Sequence, residues 1–189
     1  KFLVKNYEEF KKSNQKSSVQ NFEEVFSSTS HFSVVDKFGN VLSATSSIES
    51  SFGSRLFTNG FFLNNQLTDF SFRIIDESGF LIKNRPQAEK KPLSSMSPLI
   101  LFDNNDSFYM TVGSPGGKAI ISYVFKSLIS VLYLNKTIEE AINEPNYIKI
   151  RNKIFVENES LKKIIKQNSL KRNLTSGLAI IKKENELFK

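Results

Sequence analysis

Thr29 and His31 sit two residues apart in the run Thr29-Ser30-His31-Phe32-Ser33-Val34-Val35-Asp36. On a strand that spacing puts both side chains on one face. A threonine hydroxyl is a poor nucleophile at neutral pH, and His31 is the one imidazole in the chain that could serve it as a base. A more economical base exists if Thr29 is itself a chain N-terminus, because its own α-amine then has a reference pKa of about 8. That chemistry needs cleavage of the peptide bond between Ser28 and Thr29. Taken alone, a threonine in this place is an ordinary loop-to-strand residue.

Three further pieces change that reading. Gly113-Ser114-Pro115-Gly116-Gly117 lies between a strand-like and a helix-like segment, where successive backbone N–H groups can converge on an anion and form an oxyanion hole. Ser94-Ser95 offers two hydroxyl donors for a carboxylate. Asp69, after Asn64-Asn65-Gln66, could bind an ammonium group. Each piece alone is more often a tight turn, a hydroxyl turn or a solvated carboxylate. Together they describe a pocket for a zwitterionic amino-acid head.

The elements that must hold these residues follow from pattern. Residues 30–36 and 41–47 alternate with period two around the turn Lys37-Phe38-Gly39-Asn40, which predicts a β-hairpin. Leu99–Phe102 and Ser107–Val112, joined at Asp103-Asn104-Asn105-Asp106, predict a second. Residues 70–91 mix Gly79, Arg85-Pro86 and Lys90-Lys91-Pro92 with short apolar pieces and read as a long surface loop. After Gly116-Gly117, the stretch Lys118 to Leu134 is apolar enough for a helix largely buried against a sheet. Thr137-Ile138-Glu139-Glu140 has capping-box spacing for a short second helix, and Ser160 is a fair cap for Leu161–Gln167. Gly177–Ile181 with Glu186–Phe188 reads as a closing hairpin. Hairpins followed by helices indicate an α+β layered fold. Residues 1–28 are polar with scattered Phe and predict a short helix and an exposed linker.

Composition narrows the function classes. A chain of 189 residues can bury one sizeable core and is short for two. The absence of cysteine excludes a disulfide framework and thiolate metal sites, and one histidine leaves no His cluster for zinc. No apolar run approaches the ~18 residues that span a bilayer, and the start is too short an apolar stretch for a signal peptide, so an export address would lie outside this chain. The net charge of +7 is local: residues 1–144 hold 15 basic and 15 acidic side chains, residues 145–189 hold 11 and 4. Lys162, Lys163, Lys166, Lys171 and Arg172 lack interleaved aromatics for base stacking and read as a solvated helix face, not a nucleic-acid surface.

The ordered set T-[ST]-H-x-S-V-V-D, F-G, L-N-N-Q-x-x-D-F, P-L-S-S-M-x-P and G-S-P-G-G resembles the γ-glutamyltranspeptidases, or glutathione hydrolases, among the N-terminal-nucleophile hydrolases. The resemblance implies an αββα sandwich, of which this chain would be the small-subunit half. Residues 1–28 would be the end of the large subunit, and residues 29–189 a catalytic small-subunit domain short of the usual C-terminal tail, so the chain reads as a fragment or a shortened homologue. By that resemblance Thr29 is both the self-cleavage residue and the acyl-accepting nucleophile, and Ser47 takes the place of a threonine that steadies it. Gln66 and Asp69 fall around the substrate α-ammonium, Ser94 and Ser95 at its α-carboxylate, and Gly116 and Gly117 at the oxyanion. His31 matches the motif without an assigned role.

Two departures bear on specificity. Glu49 stands where the family usually has an asparagine, and Thr68 replaces a frequent aspartate beside Asp69. Glu49 lies two residues after Ser47 on a strand, so the two side chains face the same pocket and Glu49 touches the substrate head. The implied reaction is γ-glutamyl transfer from glutathione or a similar amide to water or an amine, with a large subunit as partner and with no metal or organic cofactor. The alternatives are a catalytically silent assembly partner of the same fold, or a β-lactam acylase removing a glutaryl-type side chain. Asp69 with Ser94-Ser95 argues against the acylase, since that set suits an amino-acid head.

Overall fold

The computed structural model describes residues 29–150, 152–165, 168–174, 176–184 and 187–188. The tail of residues 1–28, with Ser28, as well as Lys166, Gln167 and Glu186, lies outside the described residues. The alternating run forms the expected hairpin, β1 (Thr29–Val35) and β2 (Val41–Ser47), with Thr29 opposite Ser47, His31 opposite Thr45 and Ser33 opposite Ser43. Its turn is closed by Asp36, whose carboxylate accepts from the amides of Phe38 at 2.8 Å and Asn40 at 2.9 Å, while Gly39 supplies the positive φ. Short strands β3 (Phe57–Thr58) and β4 (Phe61–Phe62) follow, then a 3-10 turn, Gln66–Asp69. Residues 70–91 are irregular, as expected, with one bridge between Ile75 and Leu81.

The second hairpin is β5 (Leu99–Phe102) and β6 (Phe108–Gly113). It joins β10 (Ala179–Glu184) and β11 (Leu187–Phe188) in a four-stranded sheet of order β11-β10-β6-β5. Helix α1 (Ile120–Leu132) lies on one face of that sheet, where Met110 and Val112 of β6 meet Ile120, Val124 and Val131. The β1–β2 hairpin covers the other face, with β1 over β6 and β10 and β2 over β5 and β6. The layers are therefore helix, sheet, sheet, an α+β arrangement. Helix α1 is one-sided: Ile121 and Phe125 stay exposed, so the sequence overstated its burial.

Helix α2 (Ile138–Asn143) starts with the expected capping box, Thr137 Oγ1 accepting from the Glu140 amide at 3.1 Å and the Glu140 carboxylate from the Thr137 amide at 2.8 Å. Helix α3 (Glu159–Ile165) is capped by Asn158, which accepts from the Leu161 amide at 2.9 Å; Ser160 lies inside the first turn. Strands β7 (Tyr147–Ile150), β8 (Lys153–Val156) and β9 (Ser169–Lys171) form a separate sheet that the pattern did not reveal, β8 and β9 running parallel across α3. Lys171 and Arg172 thus leave the proposed basic helix face: Lys171 is on β9, and Arg172 stacks on Phe155 at 5.6 Å. No helix among the described residues is long and apolar enough to cross a membrane.

Candidate active site

Thr29 and Ser47 form the last pair of the hairpin, at the end away from its turn. The Thr29 hydroxyl donates to Ser47 Oγ at 3.0 Å, the cross-strand partner on the same face. The Glu49 amide donates to the same oxygen, also at 3.0 Å, so Ser47 accepts from both. Glu49 itself is not on the strand. β2 ends at Ser47, and Glu49 takes a left-handed backbone with φ +71, so strand alternation does not place its side chain as expected. The turn instead swings the carboxylate toward Asn65, whose Nδ2 donates to Glu49 Oε2 at 2.8 Å and to Ser50 Oγ at 2.9 Å. Asn65 Oδ1 accepts from the Ser50 amide at 3.0 Å, which locks residues 49–50 onto the turn that carries Gln66 and Asp69.

Gln66 Nε2 donates to Asp69 Oδ2. Burial pushes the Asp69 carboxyl above its ordinary value; the Gln66 hydrogen bond and Lys118 pull it down, and the negative charge of Glu49 pushes it up. Glu49, Asp69 and Lys118 therefore share one electrostatic neighbourhood. Asn84, which the sequence reading passed over, ties it to the segment before the serine pair: its Nδ2 donates to the Asp69 carbonyl at 2.7 Å and its Oδ1 accepts from the Leu93 amide at 3.1 Å. Asn84 thus ties the Asp69 turn to Leu93, the residue before Ser94-Ser95. Ser94 Oγ accepts from the Met96 amide at 3.2 Å, a hydroxyl turn that leaves its proton available. The signal for Asn84 lay in the turn-forming Asn84-Arg85-Pro86, which specifies a bend and not a clamp.

The loop after β6 turns through two positive-φ residues, and at the first of them the angle is one that only glycine takes easily. Gly116 has φ +136 and Gly117 φ +55, and a Cβ on Gly116 would lie 2.6 Å from Tyr123 Cε2. Gly117 opens the 3-10 turn Gly117–Ala119 that runs into α1, so its amide stands at the positive end of the helix. Gly113, at the other end of the loop, lies against the His31 ring, and an added Cβ would overlap it. The strand that carries Thr29 and the glycine loop meet there. Among the described residues no cluster of three or more His, Cys, Asp or Glu side chains could hold a metal ion.

The gamma-glutamyltranspeptidase family profile matches residues 3–185. This chain belongs to that family. Among curated relatives of the gamma-glutamyltranspeptidases, the glutathione hydrolase proenzyme of Bacillus subtilis strain 168 is 40% identical over 134 residues, 70% of this chain and 22% of its own length. The capsule biosynthesis protein CapD proenzyme of Bacillus anthracis is 30% identical over 161 residues, 85% of this chain and 28% of its own length. The chain thus spans 22% and 28% of the length of these two relatives. Among solved structures, the Helicobacter pylori gamma-glutamyltranspeptidase T380A mutant superposes with a TM-score of 0.71 at 29% identity, covering 84% of this chain and 95% of that one. The gamma-glutamyltranspeptidase fold therefore holds here, the fold of the N-terminal-nucleophile hydrolases.

Proposed function

We propose that residues 29–189 are the catalytic small-subunit domain of a glutathione hydrolase and γ-glutamyltransferase, with residues 1–28 as the end of its large subunit. The observation that carries this reading is Thr29 at the head of β1, hydroxyl donated to Ser47 at 3.0 Å, beside a glycine loop with two positive-φ residues. Cleavage of the Ser28–Thr29 bond frees the Thr29 α-amine. That amine takes the hydroxyl proton as Oγ1 attacks the γ-carbonyl of the donor. The carbonyl oxygen becomes an oxyanion, which the Gly116 and Gly117 amides stabilise. Collapse expels the amine, which leaves with the proton, and an ester joins the glutamyl group to Thr29. Water or an acceptor amine then attacks the ester, giving glutamate or a new γ-glutamyl amide.

Asp69, with Gln66 bonded to it, binds the donor ammonium, and Glu49 adds a second negative charge to that side. Ser94 and Ser95 bind the carboxylate. A large subunit is the partner this reading requires: Phe32, Val34 and Leu42 on the outward face of β1–β2 are 48%, 50% and 50% exposed, an apolar strip for it to cover. The names of the relatives, proenzymes of glutathione hydrolase, favour this over a silent assembly partner.

The test is Thr29→Ala against Thr29→Ser, expressed with the large subunit. The alanine variant should neither cleave itself nor release an amine from a γ-glutamyl anilide, and the serine variant should retain part of both. A cleaved and active Thr29→Ala protein would exclude Thr29 from the mechanism.

A further inference from the structure

We infer that His31 is a positioning residue: its neutral imidazole is the spacer that sets the nucleophile strand against the oxyanion loop. The inference rests on the roles proposed above for Thr29, Gly116 and Gly117, and it assigns a function to a side chain that otherwise has none.

The proton directions follow from the hydrogen-bond inventory. Each hydroxyl has one proton to give. The Thr111 hydroxyl gives its proton to the Leu99 carbonyl at 2.9 Å, so toward Ser33, 3.2 Å away, it can only accept. Ser33 therefore donates to Thr111 and accepts from His31 Nε2 at 3.1 Å. A ring protonated at Nε2 has a lone pair at Nδ1, which accepts from the Thr45 hydroxyl at 2.8 Å. Burial holds the His31 pKa below its ordinary value, which keeps the ring neutral and the chain of bonds consistent at pH 7.

This chain runs from β2 through β1 to β6 and β5, so it crosses from one sheet to the other. Its members reach toward both halves of the chemistry. His31 is two residues along β1 from Thr29, on the same face, and Thr45 is two residues along β2 from Ser47. On the far side the ring presses on Gly113, the last residue of β6 and the first of the loop that ends in Gly116-Gly117. A side chain at 113 would push the ring off, and a shorter residue at 31 would let the sheets close. Nearby Ser43 faces the same way as Ser33 and its buried hydroxyl has no hydrogen-bond partner among the described residues, so the interlayer space does not bond every hydroxyl it contains.

The test compares His31→Phe, Gly113→Ala and Ser43→Ala in the protein with its large subunit. His31→Phe keeps a ring against Gly113 but breaks the chain, and Gly113→Ala displaces the ring. Both should slow acylation, read as single-turnover release from a γ-glutamyl anilide, by about tenfold to a hundredfold with KM within about twofold, because the reacting atoms shift while the head pocket stays. Ser43→Ala should match the wild type. Wild-type acylation rates in His31→Phe and Gly113→Ala would overturn the inference, as would a loss confined to KM. Should those variants fail to fold, histidine NMR of the wild type decides: a neutral ring protonated at Nε2 at pH 7 supports the chain, and a proton on Nδ1 alone or a charged ring contradicts it. Failure of the nucleophile reading is separately visible, as an active Thr29→Ala protein.

Discussion

Replacing Gly116 by alanine should cost far more than the same change one residue on, although both glycines have positive φ. At Gly116 the backbone angle of +136° lies outside the left-handed well that other residues can enter, and the new Cβ would sit 2.6 Å from Tyr123 Cε2. Backbone strain of about 1–3 kcal/mol adds to an overpacking cost of about 1–3 kcal/mol, because Tyr123 is buried in the cluster with Ala119, Ile148 and Leu174 and cannot swing away. The loop relieves this by moving, and moving withdraws the amide proposed to face the oxyanion. A lost donor of that kind costs about 10²–10³-fold in rate. At Gly117 φ is +55° and nothing lies within 4 Å of an added Cβ. Alanine there costs about 1–2 kcal/mol of left-handed strain and leaves the amide in place. The assay is single-turnover acylation beside a thermal melt. Gly116→Ala should lose about two to three decades of rate, and Gly117→Ala should stay within about fivefold while its midpoint falls by ~2–8 °C. Equal losses in the two variants, or near-normal acylation in a folded Gly116→Ala protein, would refute the assignment of this loop.

Other expectations follow from the head of the hairpin and the acidic pocket. Ser47→Ala removes the acceptor shared by Thr29 and Glu49 and should slow acylation by about tenfold, one hydrogen bond's worth, whereas Ser47→Thr should keep the rate; a rate unchanged in Ser47→Ala would show that this contact does not orient the nucleophile. The ammonium site proposed at Asp69 works only when the carboxyl is ionised, and its pKa lies above the ordinary aspartate value, so kcat/KM should fall as pH drops through that raised pKa. Because Glu49 contributes to the rise, Glu49→Gln should move this acid limb to lower pH, and Lys118→Gln, which removes a charge that lowers it, should move the limb up; a limb that does not respond to either change is not Asp69.

Both hairpins and the α2 cap were legible in sequence because their causes are local. Period-two alternation, the Asp36-to-Asn40 turn and Thr137 with Glu140 each act within a few residues. The missed sheet has a non-local cause: β8 pairs in parallel with β9 only because α3 returns the chain, and neither strand has a long alternating pattern. The face of β1 that turns inward was not readable from hydrophobicity either. It carries Thr29, His31 and Ser33, while Phe32 and Val34 point outward, the reverse of a simple apolar-in rule. Those inward polar side chains are satisfied by partners on β2 and β6 that no local pattern announces. Glu49 shows the same limit at the site. Its spacing from Ser47 argues for a continued strand, yet the hydrogen bonds to Ser47 and Asn65 hold it in a left-handed turn.

In the mechanism proposed above, Thr29 is the residue that carries the glutamyl group. Peptide mass mapping of the protein with its large subunit, quenched in acid during turnover of a γ-glutamyl donor, tests it most directly. The expected result is a peptide that begins at Thr29 with a free α-amine and bears one γ-glutamyl group on that residue, absent from Thr29→Ala. A glutamyl group found on another side chain, or full turnover by a protein whose Ser28–Thr29 bond is intact, would contradict it.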